Sequence, residues 1–205
     1  MYYQVVLGVY LKNIMGKMPI IVSYFTDGTP YEKVAETHLI PSCKKFGLKL
    51  DIERVAHLGS WKQNTDYKAK FIFRKLQEYK APIVWLDADA EVKKYPELFT
   101  RLDHCDMAVH YFKGWQLASG TMYWNWSHFA QVTTESWMTW VDRYANQHVE
   151  QLCLEMLLER GVEVQGINVQ KLPEEYCYID KLAIDFNCDP VIYHHQSSRE
   201  FKSQI

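Results

Sequence analysis

The stretch Ala81–Val92, "APIVWLDADAEV", decides how the chain is read. Ile83 to Leu86 form a short apolar run rich in β-branched and aromatic residues, the pattern of a buried strand. The run ends on two aspartates, Asp87 and Asp89, with one alanine between them. In an extended segment the period of two puts both carboxylates on one side, with Ala88 facing away. Two carboxylates so close repel unless a cation lies between them or one takes a proton. Mg²⁺ or Mn²⁺ accepts such oxygens and keeps positions open for phosphate oxygens. The bare pattern is common. Eleven aspartates in 205 residues give roughly 0.6 chance occurrences, and a solvated turn or helix N-cap is the plain alternative. Its position supplies the information.

Upstream, "PIIVSYF" (Pro19–Phe25) reads as a buried strand and "TDGTP" as a turn. Thr29, Pro30 and Glu32 make a capping box for a helix running to about Phe46, closed by Gly47. "LKLDIERV" (Leu48–Val55) alternates as a second strand, and "HLGSW" is loop. Asn64 or Thr65 caps a second helix with Ala69, Ile72, Phe73 and Leu76 on one face. The first 90 residues therefore spell β-α-β-α-β, an α/β class with a mostly parallel central sheet flanked by helices. Such sheets bind ligands beyond the carboxyl ends of their strands. "TDGTP" and "DADAEV" both lie at that edge.

The second half is less regular. "DMAVHYF" (106–112) and "LASGTMYWN" (117–125) read as strands around a Lys-Gly turn. Residues 127–145 and 148–161 read as helices, the latter ended by Gly161. "CDPVIYHHQ" and the polar "SSREFKSQI" follow. No repeat or linker appears, so residues 19–205 read as one domain. Residues 1–18 read as an N-terminal arm or extra strand, and Met18 is a second candidate start.

Net charge is −2, with 23 basic against 25 acidic residues. This is not the footprint of a stable nucleic-acid binder. Five cysteines without a C-x-x-C pair support neither a zinc ribbon nor a redox motif, and fit reduced thiols in a cytoplasmic protein. No apolar run reaches the roughly 18 residues of a membrane span. The first residues lack the basic region of a signal peptide.

The strand ending "VWLDADAEV" resembles the D-x-D element of GT-A fold nucleotide-diphospho-sugar glycosyltransferases, and the likeness covers most of the chain from Pro19 onward. "IVSYFTDGTPYE" is similar to the first strand and loop, which in that fold hold base and ribose. "ASGTMYWN" resembles the strand and turn that follow the metal element in many retaining members. "VEQLCLEML" resembles the helix that faces the transferred sugar, and "IYHHQSSREFK" the C-terminal segment that completes the metal site and covers the diphosphate. The resemblance implies a metal-dependent glycosyltransferase with Mn²⁺ or Mg²⁺ and a nucleoside-diphosphate sugar, a UDP-sugar as first choice. It favours retention of configuration. The acceptor would be a glycan, protein, small molecule or modified nucleobase.

On this reading Asp87 and Asp89 hold the metal together with a histidine. His195 is taken as the ligand and His194 as the alternative, because neighbours in an extended segment face opposite ways. Tyr24, Thr26 and Asp27 end the first strand and are candidates for base and ribose. The competing readings are core packing for Tyr24 and a simple turn for the others. Asn64 and Lys68 open the second helix near ribose or phosphate. Ser119 and Gly120 are placed against the sugar by close backbone approach, or form a β-bulge. Glu150 and Gln151, with Asp89, are the catalytic candidates. Glu150 would be a base in an inverting reaction or a stabiliser in a retaining one, though an acid at a helix N-terminus needs no such role. Arg199 and Lys202 would neutralise the diphosphate, against the alternative of a frayed tail. Trp115, Trp124 and Trp126 are candidates for lining the cleft, although large aromatics are usually core.

Two rival functions share this fold. A sugar nucleotidyltransferase would open with a Gly-rich basic loop after the first strand, and "SYFTDGTPYEK" has none. A non-catalytic nucleotide-sugar or glycan-binding module would bind donor without transfer.

Overall fold

The computed structural model describes residues 16–179, 182 and 188–202. In chain order the elements are β1 (Ile20–Thr26), α1 (Tyr31–Thr37), α2 (Leu39–Lys45), β2 (Leu50–Val55), α3 (Trp61–Tyr79), β3 (Ile83–Leu86) and β4 (Ala90–Val92). They continue with β5 (Met107–Phe112), β6 (Gln116–Trp124), α4 (His128–Arg143), α5 (Glu150–Arg160), β7 (Val169–Lys171), β8 (Ile192–His194) and α6 (Ser198–Phe201). Six strands form one sheet in the order β2-β1-β3-β6-β5-β7, and β4 pairs with β8 in a separate ribbon. Only β6 runs against the others, so the sheet is mostly parallel. The reading of residues 1–18 as an arm falls outside the described residues for positions 1–15.

The period of two distributes the central strands between two cores. Val22, Tyr24, Ile83 and Trp85 point to one face, where α3, α4 and α5 cover them with Phe71, Ile72, Trp137 and Leu154. Ile21, Val84 and Leu86 point to the other, against Leu39 and Cys43 of α2 and against Ala90, Val92 and Ile192 of the ribbon. β3 is fully buried on both faces, which explains its uninterrupted apolar sequence. Full burial of each large apolar side chain contributes about 1.5–3 kcal/mol.

Three local expectations are corrected. The single helix from Pro30 to Phe46 is two helices broken at His38. Pro41 is the cause: it lacks an N–H, and its ring would meet the carbonyl of Thr37 in a continuous helix. Thr29 is not a side-chain cap, because its hydroxyl donates back to the Thr26 carbonyl at 2.8 Å. The helix after "HLG" begins at Trp61 and is capped by Ser60, not by Asn64 or Thr65. Ser60 Oγ accepts from Gln63 N at 3.2 Å, the S-x-x-Q capping arrangement, legible at positions 60–63.

The β5–β6 hairpin turns on Lys113 and Gly114, both with positive φ (52° and 81°). Such a turn matches the twist of the flanking strands. Farther along, the register slips. Val109 pairs with Met122 but His110 pairs with Ala118, so Ser119–Thr121 bulge away from β5. They remain beside β3, with Leu86 opposite Thr121. Bulges re-aim side chains next to functional sites, and this one turns Ser119 and Gly120 toward the end of β3.

Candidate active site

A cleft of ≈ 340 Å³ opens beyond the carboxyl ends of β1 and β3. Its walls are the end of β1, the opening turns of α3, the Asp87–Asp89 turn, the β6 bulge, the start of α5, and the segment around β8. Of the expected residues, Tyr24, Thr26, Asn64, Lys68, Asp87, Asp89, Ser119, Gly120, Glu150 and Gln151 line it.

Asp87 and Asp89 sit in a tight turn rather than in extended backbone, since Ala90 N donates to Asp87 O at 2.9 Å. Ala88 is not outside the cleft but contributes to its lining while packing on Phe25 and Ala35. The turn still brings the two carboxylates together. Asp87, Asp89 and His194 each offer one ligand atom, all within 4.8 Å of one another. His194, not the expected His195, is therefore the histidine of this cluster. The pairing of β8 with β4 decides it: His194 stands opposite buried Ala90, and the neighbouring imidazole faces the other way.

Each member of the trio is oriented by a second contact. Asp87 Oδ1 accepts from Trp85 Nε1 and meets Lys68 Nζ, both at 2.9 Å. Asp89 Oδ2 accepts from Ser197 N at 2.9 Å, while its Oδ1 lies 3.6 Å from His194 Nδ1. His194 Nε2 is 2.8 Å from Thr121 Oγ1. Gly120 makes room for the ring, because a Cβ there would fall 2.9 Å from His194 Cε1. Room for that ring is the role of Gly120 visible here, and the residue also lines the cleft. Burial raises the Asp87 carboxyl, Lys68 counteracts, and the like charge of Asp89 adds to the rise. The Asp87 side chain remains 36% exposed, so solvent damps the effect. Burial also opposes charge on Asp89, but His194 and the Ser197 N–H outweigh it and hold the carboxyl below its usual range. Burial disfavours the imidazolium of His194, yet Cys177 and Asp89 together bring its pKa up to about 10.

Two carboxylate oxygens and an imidazole nitrogen, once a cation displaces the proton that Asp89 holds on His194, suit Mn²⁺ and suit Mg²⁺ less well. With both contacts of Asp87 on Oδ1, its Oδ2 has no hydrogen bond among the described residues. The donor set and this open oxygen fit a divalent ion.

Lys68 is an internal counter-ion. It is 4% exposed and lies 2.9 Å from Glu150 Oε1 as well as from Asp87. Burial works against its charge, but Asp87 and Glu150 outweigh this and keep the ammonium protonated beyond its ordinary range. Ser119 Oγ donates to Glu150 Oε1 at 2.9 Å, and Gln151 Oε1 accepts from Ser119 N at 3.2 Å. The α5 N-terminus is fixed by Asp66, which accepts from Glu150 N at 3.1 Å. Asn64 is buried. Its Oδ1 accepts from Leu58 N, and its Nδ2 has no partner among the described residues.

Other expectations are corrected. Tyr24 is wedged among Tyr67, Phe71 and Trp85, and its hydroxyl donates to Asn64 O, so its ring is packed rather than free to stack on a base. Asp27 lies outside the cleft, 3.2 Å from Arg54 Nη1. Arg199 lines a smaller adjoining cavity with Tyr193, His195 and Glu200. Lys202 sits 4.1 Å over the Trp61 ring at the cleft wall. Trp124 is core, stacked on Trp137, Trp126 packs on the same cluster, and Trp115 is 65% exposed at the hairpin. The indoles of the cleft are Trp61 and Trp85. Tyr31, Thr65, Cys177 and Gln196 also line it and were not singled out from sequence. Trp61, Asn64, Thr65 and Lys68 share one helical face at i, i+3, i+4 and i+7, a spacing that could have marked them.

No protein-family model matches the sequence, and no curated protein matches it significantly. Solved structures do resemble it. One is a glycosyltransferase involved in glycosylation of the major capsid of PBCV-1 (TM-score 0.68, 14% identity, covering 91% of this chain and 98% of that one). Another is the glycosyltransferase GlyE of Streptococcus pneumoniae (TM-score 0.64, 16% identity, 93% of this chain and 57% of that one). A third is mouse xyloside xylosyltransferase 1 in its apo form (TM-score 0.50, 13% identity, 87% and 97%). The chain thus has a fold found in glycosyltransferases. Among the described residues, no helix is long and apolar enough to cross a membrane.

Proposed function

We propose that this protein is a GT-A-type, metal-dependent glycosyltransferase that moves a sugar from a nucleoside-diphosphate donor, first a UDP-sugar, to an acceptor hydroxyl. The observation that carries the reading is the Asp87–Asp89–His194 cluster at the cleft, on a sheet edge where α/β folds bind ligands. Those three residues would hold Mn²⁺ or Mg²⁺. When bound, the ion supplies charge stabilisation for the departing diphosphate. Asp87 is held for this by Trp85 and Lys68, Asp89 by Ser197, and His194 by Thr121. Asn64 Nδ2, a buried donor without a partner among the described residues, would meet a polar edge of the nucleoside. Tyr31 and Trp61 offer aromatic surface on the same side of the cleft. Lys202, above Trp61, would bring positive charge to the mouth.

A retaining course is favoured. Asp87, Asp89 and Glu150 are the carboxylates lining the cleft among the described residues. Glu150 is 2% exposed and tied to Lys68 and Ser119, which leaves it poorly placed as the free base an inverting attack needs. Its role is to position Lys68 and Ser119. Gln151, whose Oε1 is engaged by Ser119, keeps its amide N–H groups for the sugar.

The test is release of nucleoside diphosphate from a panel of nucleotide sugars with Mn²⁺. Release by the wild type and its loss in folded Asp89→Ala are expected. Neither binding nor release with any donor would sink the reading, and binding without release or transfer would favour a non-catalytic module.

A further inference from the structure

On the opposite side of the β4–β8 ribbon stands a second group of metal-type ligands that the proposed reaction does not use. His38, Glu91 and His195 each present one ligand atom, all within 4.8 Å of one another. Glu91 Oε2 is 2.9 Å from His195 Nε2 and 3.9 Å from His38 Nδ1. The two imidazoles are near-parallel, with ring centres 3.7 Å apart and planes at 23°. Lys93 engages the other oxygen, Glu91 Oε1, at 2.8 Å, which orients the carboxylate and leaves Oε2 to the histidines. Tyr193 packs edge-on against His195 at 4.7 Å.

We infer that His38, Glu91 and His195 form a second metal site, separate from the cleft, that takes a borderline transition ion such as Zn²⁺. The chemistry is that of two imidazoles and one carboxylate. Zinc commonly binds three such protein ligands and keeps a fourth position for water. Bonds of about 2.0–2.2 Å from one ion need ligand atoms roughly 3–3.5 Å apart and imidazole lone pairs that converge, so one of the two stacked rings must turn out of the stack as the ion binds. Hard Mg²⁺ prefers oxygen and would not compete well here, so the two clusters differ in the ion they select. The three ligands come from distant parts of the chain. His38 is at the break between α1 and α2, Glu91 is on β4, and His195 follows β8. An ion bound there would staple those segments, including the one that carries His194, Gln196 and Ser198 into the cleft. The inference does not depend on which reaction the cleft performs.

The experiment is a calorimetric titration of Zn²⁺ into the full chain with excess Mg²⁺ present, repeated with Co²⁺ as an optical probe. One Zn²⁺ per chain is expected at this site. His38→Gln and His195→Gln should each weaken it by at least about tenfold, since even residues that merely orient metal ligands cost 10–100-fold. Binding should persist in Asp89→Ala, which disrupts only the cleft cluster. The Co²⁺ spectrum should lack a thiolate-to-metal band. The two histidine variants are independent, so either one that keeps its far-UV circular dichroism decides the matter. No Zn²⁺ uptake, uptake indifferent to both histidines, uptake lost in Asp89→Ala, or a thiolate band would each overturn the proposal.

Discussion

The β4–β8 ribbon separates two clusters, one of two carboxylates and an imidazole and the other of two imidazoles and a carboxylate, and they are built to different standards. On the cleft side the side chains of Asp89 and His194 are 11% and 4% exposed, and that of Asp87, at the opening, is 36%. Every ligand there has a partner that fixes its direction: Trp85 and Lys68 for Asp87, Ser197 for Asp89, Thr121 for His194. On the outer side the side chains of His38 and His195 are 28% exposed, and that of Glu91 is 25% exposed. Among the described residues, Lys93 and the edge of Tyr193 steer them. Outer-shell contacts are what distinguish a site held for chemistry from one that can gather an ion.

The strongest way to break the contrast is Lys68→Met. It would leave Glu150 buried without its cation and remove one support of Asp87. Removing one partner of a buried ion pair costs about 3–5 kcal/mol, measurable as a lower denaturant midpoint. A loss under about 1 kcal/mol would show that Lys68 does not organise the cleft. Next is the pair of histidine variants. His194→Ala should lower Mn²⁺-dependent nucleoside diphosphate release by about 100-fold, and at least tenfold more than His195→Ala does. Equal effects would erase the distinction between the two sides. Gly120→Ala sharpens it further. A methyl 2.9 Å from His194 Cε1 must displace the imidazole, so Mn²⁺ affinity should fall about tenfold while Zn²⁺ binding on the outer side is untouched.

The smallest expected effect lies away from both clusters. Arg74 hydrogen-bonds Glu53 and, against the cost of burial, holds its carboxyl below the usual range, helped by Lys75. A depressed folded-state value means this stabilisation is complete above the unfolded pKa and disappears as pH falls through the folded one. Glu53→Gln should therefore lose some stability at neutral pH, its acid unfolding curve should be less steep below about pH 4.5 than that of the wild type, and the two should converge at low pH. An unchanged acid limb would show that Glu53 is not linked to stability.

Much of the frame was legible because it is written in short periods. The β-α-β-α-β order follows from apolar runs and turn residues, and the ligand-binding edge follows from that order. The hairpin at Lys113–Gly114 and the helix end at Gly161 were also visible. What sequence could not supply was direction in space. Whether His194 or His195 meets the aspartates depends on how β8 pairs with β4, across about 100 residues of chain. Asp27 looked available until Arg54, on the neighbouring strand, took it. Tyr24 and Trp124 were candidates for the cleft with core packing as the competing reading; packing puts Trp124 in the core and ties down the Tyr24 ring at the cleft wall. Cys177 and Gln196 join the cleft from segments with no periodic signal.

The most direct measurement is Mn²⁺ electron paramagnetic resonance with UDP, using wild type, His194→Ala and His195→Ala. One Mn²⁺ bound with UDP is expected in the wild type and in His195→Ala, and loss of both Mn²⁺ and UDP in His194→Ala or after chelation. UDP binding that survives chelation, or Mn²⁺ binding lost in His195→Ala but kept in His194→Ala, would contradict this.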